Sequence, residues 1–222
     1  MINKNFNSYV RTTVLAGGLV ALATPALAHH PLNGMPMETF THGVLSGIGH
    51  PLLGFDHLFF VLLMGVAAFF TTKKFITPAA YIGAMLIGCM MMSLGLGLPA
   101  KELMIALSLV VLGAVVLSGK SLGMGAAVAL FAGFGLFHGS AFGDSIAGQE
   151  SAMGAQVLVG YLIGLGVLQY ALALGAGLVT EKLMKATEAT AISARLSGAM
   201  VAGVGIFLTL EHIEGVVLSA IF

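Results

Sequence analysis

Gly49-His50-Pro51-Leu52-Leu53-Gly54-Phe55-Asp56-His57-Leu58-Phe59-Phe60-Val61-Leu62-Leu63 is the stretch on which the reading of this chain turns. From Leu58 onward it is an apolar run of the kind that lies in lipid. At its head stand two imidazoles and a carboxylate. An ionisable group at membrane depth is costly, so its default reading is functional. Two His and one Asp are good donors for a borderline divalent ion such as nickel, cobalt or zinc.

The rest of the chain has the same character. Of 222 residues, 58% are hydrophobic and 8% charged, and the mean hydropathy is +1.03. A soluble domain carries about 25% charge, so this chain cannot clothe a water-facing surface and belongs in a membrane. A formal net charge of zero argues against nucleic acid or another polyanion as partner. The single Cys89 excludes a disulfide framework and a thiolate metal cluster. Thirty-one Gly suit helix packing in lipid, where small residues let backbones approach.

Residues 1–28 read as a cleavable signal peptide. Lys4 and Arg11 supply the positive region, Val14 to Ala23 a short apolar core, and Ala26-Leu27-Ala28 the small-x-small cleavage pattern. The core is shorter than the ~20 residues that span a bilayer. Six longer apolar segments follow, near 51–72, 75–97, 102–118, 122–143, 153–179 and 196–219, the third of them short. The sequence therefore predicts an all-α integral membrane protein, a polytopic bundle of six transmembrane helices over residues 51–222. Residues 29–50 precede it as an extracytoplasmic arm. Loop cations give the orientation. With the arm outside, Lys73, Lys74, Lys120, Lys182, Lys185 and Arg195 face inward and only Lys101 outward. The mature N-terminus and the C-terminus then lie outside the cytoplasmic (inner) membrane, which agrees with the signal peptide. Gly135, Gly139 and Gly143, like Gly160 and Gly164, recur at the four-residue spacing of close helix contacts. Self-association into a homo-oligomer is compatible with such stripes.

Counting along the helices places the polar groups. Asp56 and His57 lie five or six residues below the outer surface, roughly 8–9 Å at 1.5 Å per residue. His138 falls at a similar depth on an outward-running helix, and so do Glu211 and His212 on the last one. His50 is seven residues before His57, so in a straight helix the two stand ~10 Å apart, too far to share an ion bound near 2 Å. Either His50 is a mouth site, or Pro51 and Gly54 break the helix and fold His50 toward the others. In Phe137-His138-Gly139-Ser140-Ala141-Phe142-Gly143-Asp144-Ser145, His138 is the candidate ligand, and Asp144 a carboxylate that attracts cations. Cleavage after Ala28 would expose the α-amine of His29 beside His30, with Met35, Met37, Glu38 and His42 nearby, a set suited to metal capture outside. The metal candidates are thus His50, Asp56, His57 and His138, followed by Asp144, Glu211, His212, His29, His30 and His42.

These residues resemble the HupE/UreJ family of nickel and cobalt permeases. The family's His-x5-Asp-His motif is matched by His50, Asp56 and His57. Its Phe-His-Gly-x-Ala-x-Gly-x-Glu motif is matched by Phe137, His138, Gly139, Ala141 and Gly143, with Ser145 in place of the final Glu and Asp144 and Glu150 as nearby carboxylates. The resemblance implies secondary import of Ni2+, or of Co2+ in some members, with the ion as cargo, no prosthetic group and no enzymatic activity. Neutral imidazole is the ligand form, so uptake is expected to fall as external pH drops through about 6. A reading of another class is an intramembrane zinc-dependent hydrolase of ceramidase type, in which Ser140 or Ser145 assists a zinc-bound water. No His-x3-His pair supports it.

Overall fold

The computed structural model describes residues 37–147 and 154–221. The expected signal peptide, His29, His30 and Glu150 lie outside the described residues. Among the described residues the chain forms seven α-helices and no strand. They are α1 (Phe40–Leu53), α2 (Phe55–Phe69), α3 (Ile76–Ser93), α4 (Lys101–Leu117), α5 (Met124–Ala147), α6 (Ala155–Lys182) and α7 (Ile192–Ile221). Against the six crossings read from hydropathy, four helices (α3, α5, α6 and α7) are long and apolar enough to cross a membrane, or five if α1 and α2 count as one bent span. α4 has 17 residues, roughly 26 Å, at the short end of what spans ~30 Å of hydrocarbon. The chain is a multi-pass membrane protein.

The first apolar segment does not form one rod. α1 begins eleven residues before the expected start at 51, with Thr39 as N-cap accepting from the His42 amide at 3.1 Å. Pro51 lies inside its last turn, where it can donate no backbone hydrogen bond. Gly54 then leaves the helical region at ψ 93°, and α2 departs at 83° to α1. Both halves nevertheless follow α6 in the same direction. Gly43 packs on Val157 and Tyr161, Gly47 on Tyr161 and Leu165, and Gly65 on Ala173. The two halves therefore share one neighbour along their length. The break between them falls partway along the bundle, where irregular backbone is tolerated only inside protein.

α2 is the hub. It touches each of the six other helices. Nine of its fifteen residues are buried, among them Phe60, Leu63 and Met64. Around it the other helices pair through glycine. A Cβ on Gly139 would run into the Met85 carbonyl, and one on Gly88 into the Leu136 carbonyl, so α3 and α5 touch backbone to backbone. Gly113, Gly198 and Gly205 do the same for α4 and α7, and Gly43, Gly47, Gly160 and Gly164 for α1 and α6. In lipid such contact supplies dispersion attraction that larger side chains would forfeit.

The turns show which helix ends lie together. α3 stops at Gly95, φ +76°, whose amide bonds Met92 O while that of Leu96 bonds Met91 O, a Schellman ending. Lys101 and Asp144 form an ion pair at that end of the bundle. At the other end, Phe70, Lys74, Gly119, Ser121 and residues 187–190 line one cleft, and the Arg195 Nε donates to Leu117 O at 2.9 Å.

Candidate metal-ion site

The break at Gly54 brings the motif residues together. With α1 and α2 at 83°, the rings of His50 and His57 have centroids 6.4 Å apart rather than the ~10 Å of a straight helix. His50 is half-buried, and its ring meets Phe142 at 5.2 Å. Of the two arrangements open from the sequence, the broken helix is the one observed.

His57 and His138 are in direct contact. Their Nδ1 atoms are 2.8 Å apart, a hydrogen bond between α2 and α5. His138 is fully buried and His57 nearly so. Phe142 lies 4.1 Å from the His57 ring, and Phe60 and Tyr81 lie 4.6 and 5.8 Å from the His138 ring, so aromatic walls enclose the pair. Asp56 is on the opposite side of His57. Its Oδ1 accepts from the His57 backbone amide at 2.8 Å and stands 4.0 Å from His57 Nε2. The carboxylate side chain is 28% exposed against 8% for that of His57, so it is the wetter of the two. It also sits in the first turn of α2, where the helix N-terminus favours negative charge.

Two groups that the sequence reading missed complete the surroundings. The buried Ser108 of α4 lies 3.0 Å from His138 Nε2 and also donates to Ile105 O at 2.6 Å. On the other side of His138, the Tyr81 hydroxyl donates to Gln169 Oε1 at 3.0 Å, and Gln169 Nε2 to Met85 Sδ at 2.8 Å. All four side chains are fully buried or nearly so. The available signal was position. Ser108 is seven residues past Lys101 and His138 six before Asp144, both about 10 Å from the level of that ion pair.

The remaining candidates lie elsewhere. Asp144 is held by Lys101, which neutralises the charge expected to draw in cations. Glu211 and His212 were counted into the same layer, but the register of α7 on α4 moves them. Gly205 packs on Val110 and Ala106, level with Ser108, so Glu211 and His212 sit about 9–10 Å farther along, near Lys101. Glu211 is exposed, His212 half-buried, and neither bonds the imidazole pair. His42 caps the start of α1, its Nδ1 accepting from the Glu38 amide at 3.3 Å, two turns from His50. Among the described residues, no three His, Cys, Asp or Glu side chains converge tightly enough to hold an ion. The site offers a close nitrogen pair with a carboxylate and a third imidazole at its edge.

A family model described as "HupE / UreJ protein" matches residues 17–208, which takes in the broken helix, both histidine motifs and most of α7. Among curated proteins, "Protein HupE" from Rhizobium leguminosarum bv. viciae is 30% identical over 189 residues, covering 84% of this chain and 92% of that protein. No solved structure matches the chain. A family match over most of the length, with buried histidines from both of the motifs read in the sequence, places the chain among membrane transporters rather than enzymes, and it belongs to the HupE/UreJ family.

Proposed function

We propose that this protein is a permease that imports a divalent transition-metal ion, Ni2+ first and Co2+ next, across the inner membrane. The ion's inward path would pass between the imidazoles of His57 and His138. The observation that carries this reading is the 2.8 Å separation of the two Nδ1 atoms inside the bundle. Two nitrogens bound at ~2.05 Å and at right angles on one ion stand about 2.9 Å apart. An ion held by both nitrogens would take the place of this hydrogen bond once each ring turns its lone pair off the N···N line and the His57 proton passes from Nδ1 to Nε2, on the side of Asp56. His57 Nε2 then faces Asp56, whose negative charge offsets the incoming cation.

In this reading His50, at the break and half-buried, receives the ion first, and the Lys101 end of the bundle is the outer one. The His29 and His30 arm would gather metal outside, after removal of residues 1–28. Six crossings follow if α1 with α2 makes one and the short α4 another. Two protein nitrogens leave room for water in the coordination shell. That suits cargo which must leave again, whereas a resident catalytic zinc takes three protein ligands.

The test is accumulation of radioactive nickel and cobalt in cells expressing wild type or His57→Ala at matched surface abundance. Loss of uptake in the variant is expected. Equal accumulation in the two strains would end the proposed role of His57.

A further inference from the structure

α4 carries only three polar side chains: Lys101 and Glu102 at its start, and Ser108 in its middle. A serine in an apolar helix ordinarily satisfies itself on the preceding turn, and Ser108 does so on Ile105 O at 2.6 Å. It also reaches His138 Nε2 at 3.0 Å. Those two contacts have a fixed polarity. A carbonyl oxygen only accepts, so the single hydroxyl proton of Ser108 is committed to Ile105. Ser108 Oγ then has only lone pairs to offer His138, and Nε2 must be the N–H donor. A neutral His138 with its proton on Nε2 presents a lone pair at Nδ1, the atom aimed at His57.

We infer that Ser108 is a positioning residue for the metal site, a role that rests on the permease reading above. It holds His138 in the tautomer whose Nδ1 can receive an ion, and it fixes the plane of the ring. Without the hydroxyl, the ring loses the one hydrogen-bond partner it has on the Nε2 side among the described residues. The proton can then move to Nδ1, where it blocks the ligand atom. Histidines that bind metal commonly donate their second ring N–H in this way, and removing the acceptor weakens metal binding by about 10–100-fold.

The experiment measures nickel uptake against concentration in cells with matched membrane abundance of wild type, Ser108→Ala, Ser108→Thr and His57→Ala. Alanine keeps the helix and removes only the hydroxyl. Threonine restores it. Ser108→Ala is expected to raise the half-saturation concentration roughly tenfold while the maximal rate stays within about a factor of two. Ser108→Thr is expected to recover most of the lost affinity. A Ser108→Ala variant with wild-type half-saturation, one that loses maximal rate alone, or a Ser108→Thr variant no better than alanine would each overturn the role of Ser108. If His57→Ala also transports like wild type, the permease site itself is wrong. If His57→Ala fails while Ser108→Ala is normal, only the serine assignment falls.

Discussion

At the residue scale the chemistry depends on which nitrogen faces which neighbour. His57 turns Nδ1 to His138 and Nε2 to Asp56, so the two partners serve different purposes. His138→Ala removes one of two close nitrogens, and uptake at low metal concentration should fall at least tenfold in a concentration series, as expected for loss of a ligand or its close support. Asp56→Asn keeps the acceptor for the His57 amide but discards the charge. It should raise half-saturation without reducing the amount of protein in the membrane, which immunoblotting checks. Protons compete with metal for the pair. The ionisable groups facing it are Asp56, His50 and, across His138, Tyr81. Protonation adds positive charge and occupies the ligand atoms, so uptake should decline as external pH is lowered. Uptake that stays flat across an external pH series would count against imidazole capture.

At the element scale the decisive device is the break between α1 and α2. Gly54 has no side chain where a Cβ would stand 2.9 Å from His57 Cδ2. Gly54→Ala should therefore press on the His57 ring and separate it from His138. Impaired uptake at normal abundance is the expected result, and unchanged kinetics would remove Gly54 from the account. The glycine seams act differently. A side chain on Gly139 meets the Met85 backbone, so Gly139→Val forces α3 from α5 and should cost about 1–3 kcal/mol of packing. Gly133, on the same helix, has open space at its Cβ. Gly133→Ala should leave heat-induced loss of the detergent-solubilised protein unchanged, whereas Gly139→Val shifts it to lower temperature. The four-residue glycine spacing was legible in the sequence. Which helix each stripe meets was not, because a small residue records closeness without naming the neighbour.

At the scale of the whole molecule, helix pairs close around α2 and hold the imidazole pair inside. Their outer faces, such as Val159, Ile163 and Val167 on α6 and Met200, Phe207 and Leu210 on α7, stay exposed as lipid contact requires. Orientation is tested with introduced cysteines, which label cleanly because the native Cys89 is buried. Ser219→Cys, near the end of α7, should react with a membrane-impermeant maleimide in intact cells. Thr187→Cys, in the α6–α7 loop, should react only after permeabilisation. The reverse pattern would invert the topology drawn from the loop cations.

Composition and hydropathy alone determined that the chain is helical and lives in a membrane, because 8% charge cannot cover a water-facing surface. The two histidine motifs were equally legible, since ionisable groups in apolar runs stand out by their cost. Tertiary structure decided what they form. Counting residues put Glu211 and His212 in the imidazole layer, but helix register, set by where Gly205 meets α4, moved them toward Lys101. Pro51 and Gly54 left a straight and a broken helix both open, and packing of both halves along α6 selected the break. Ser108 is a small residue in an apolar run, and only the packing of α4 and α5 brings it to His138 Nε2. Contacts between distant segments depend on how helices pair, and one-dimensional spacing carries depth but not azimuth.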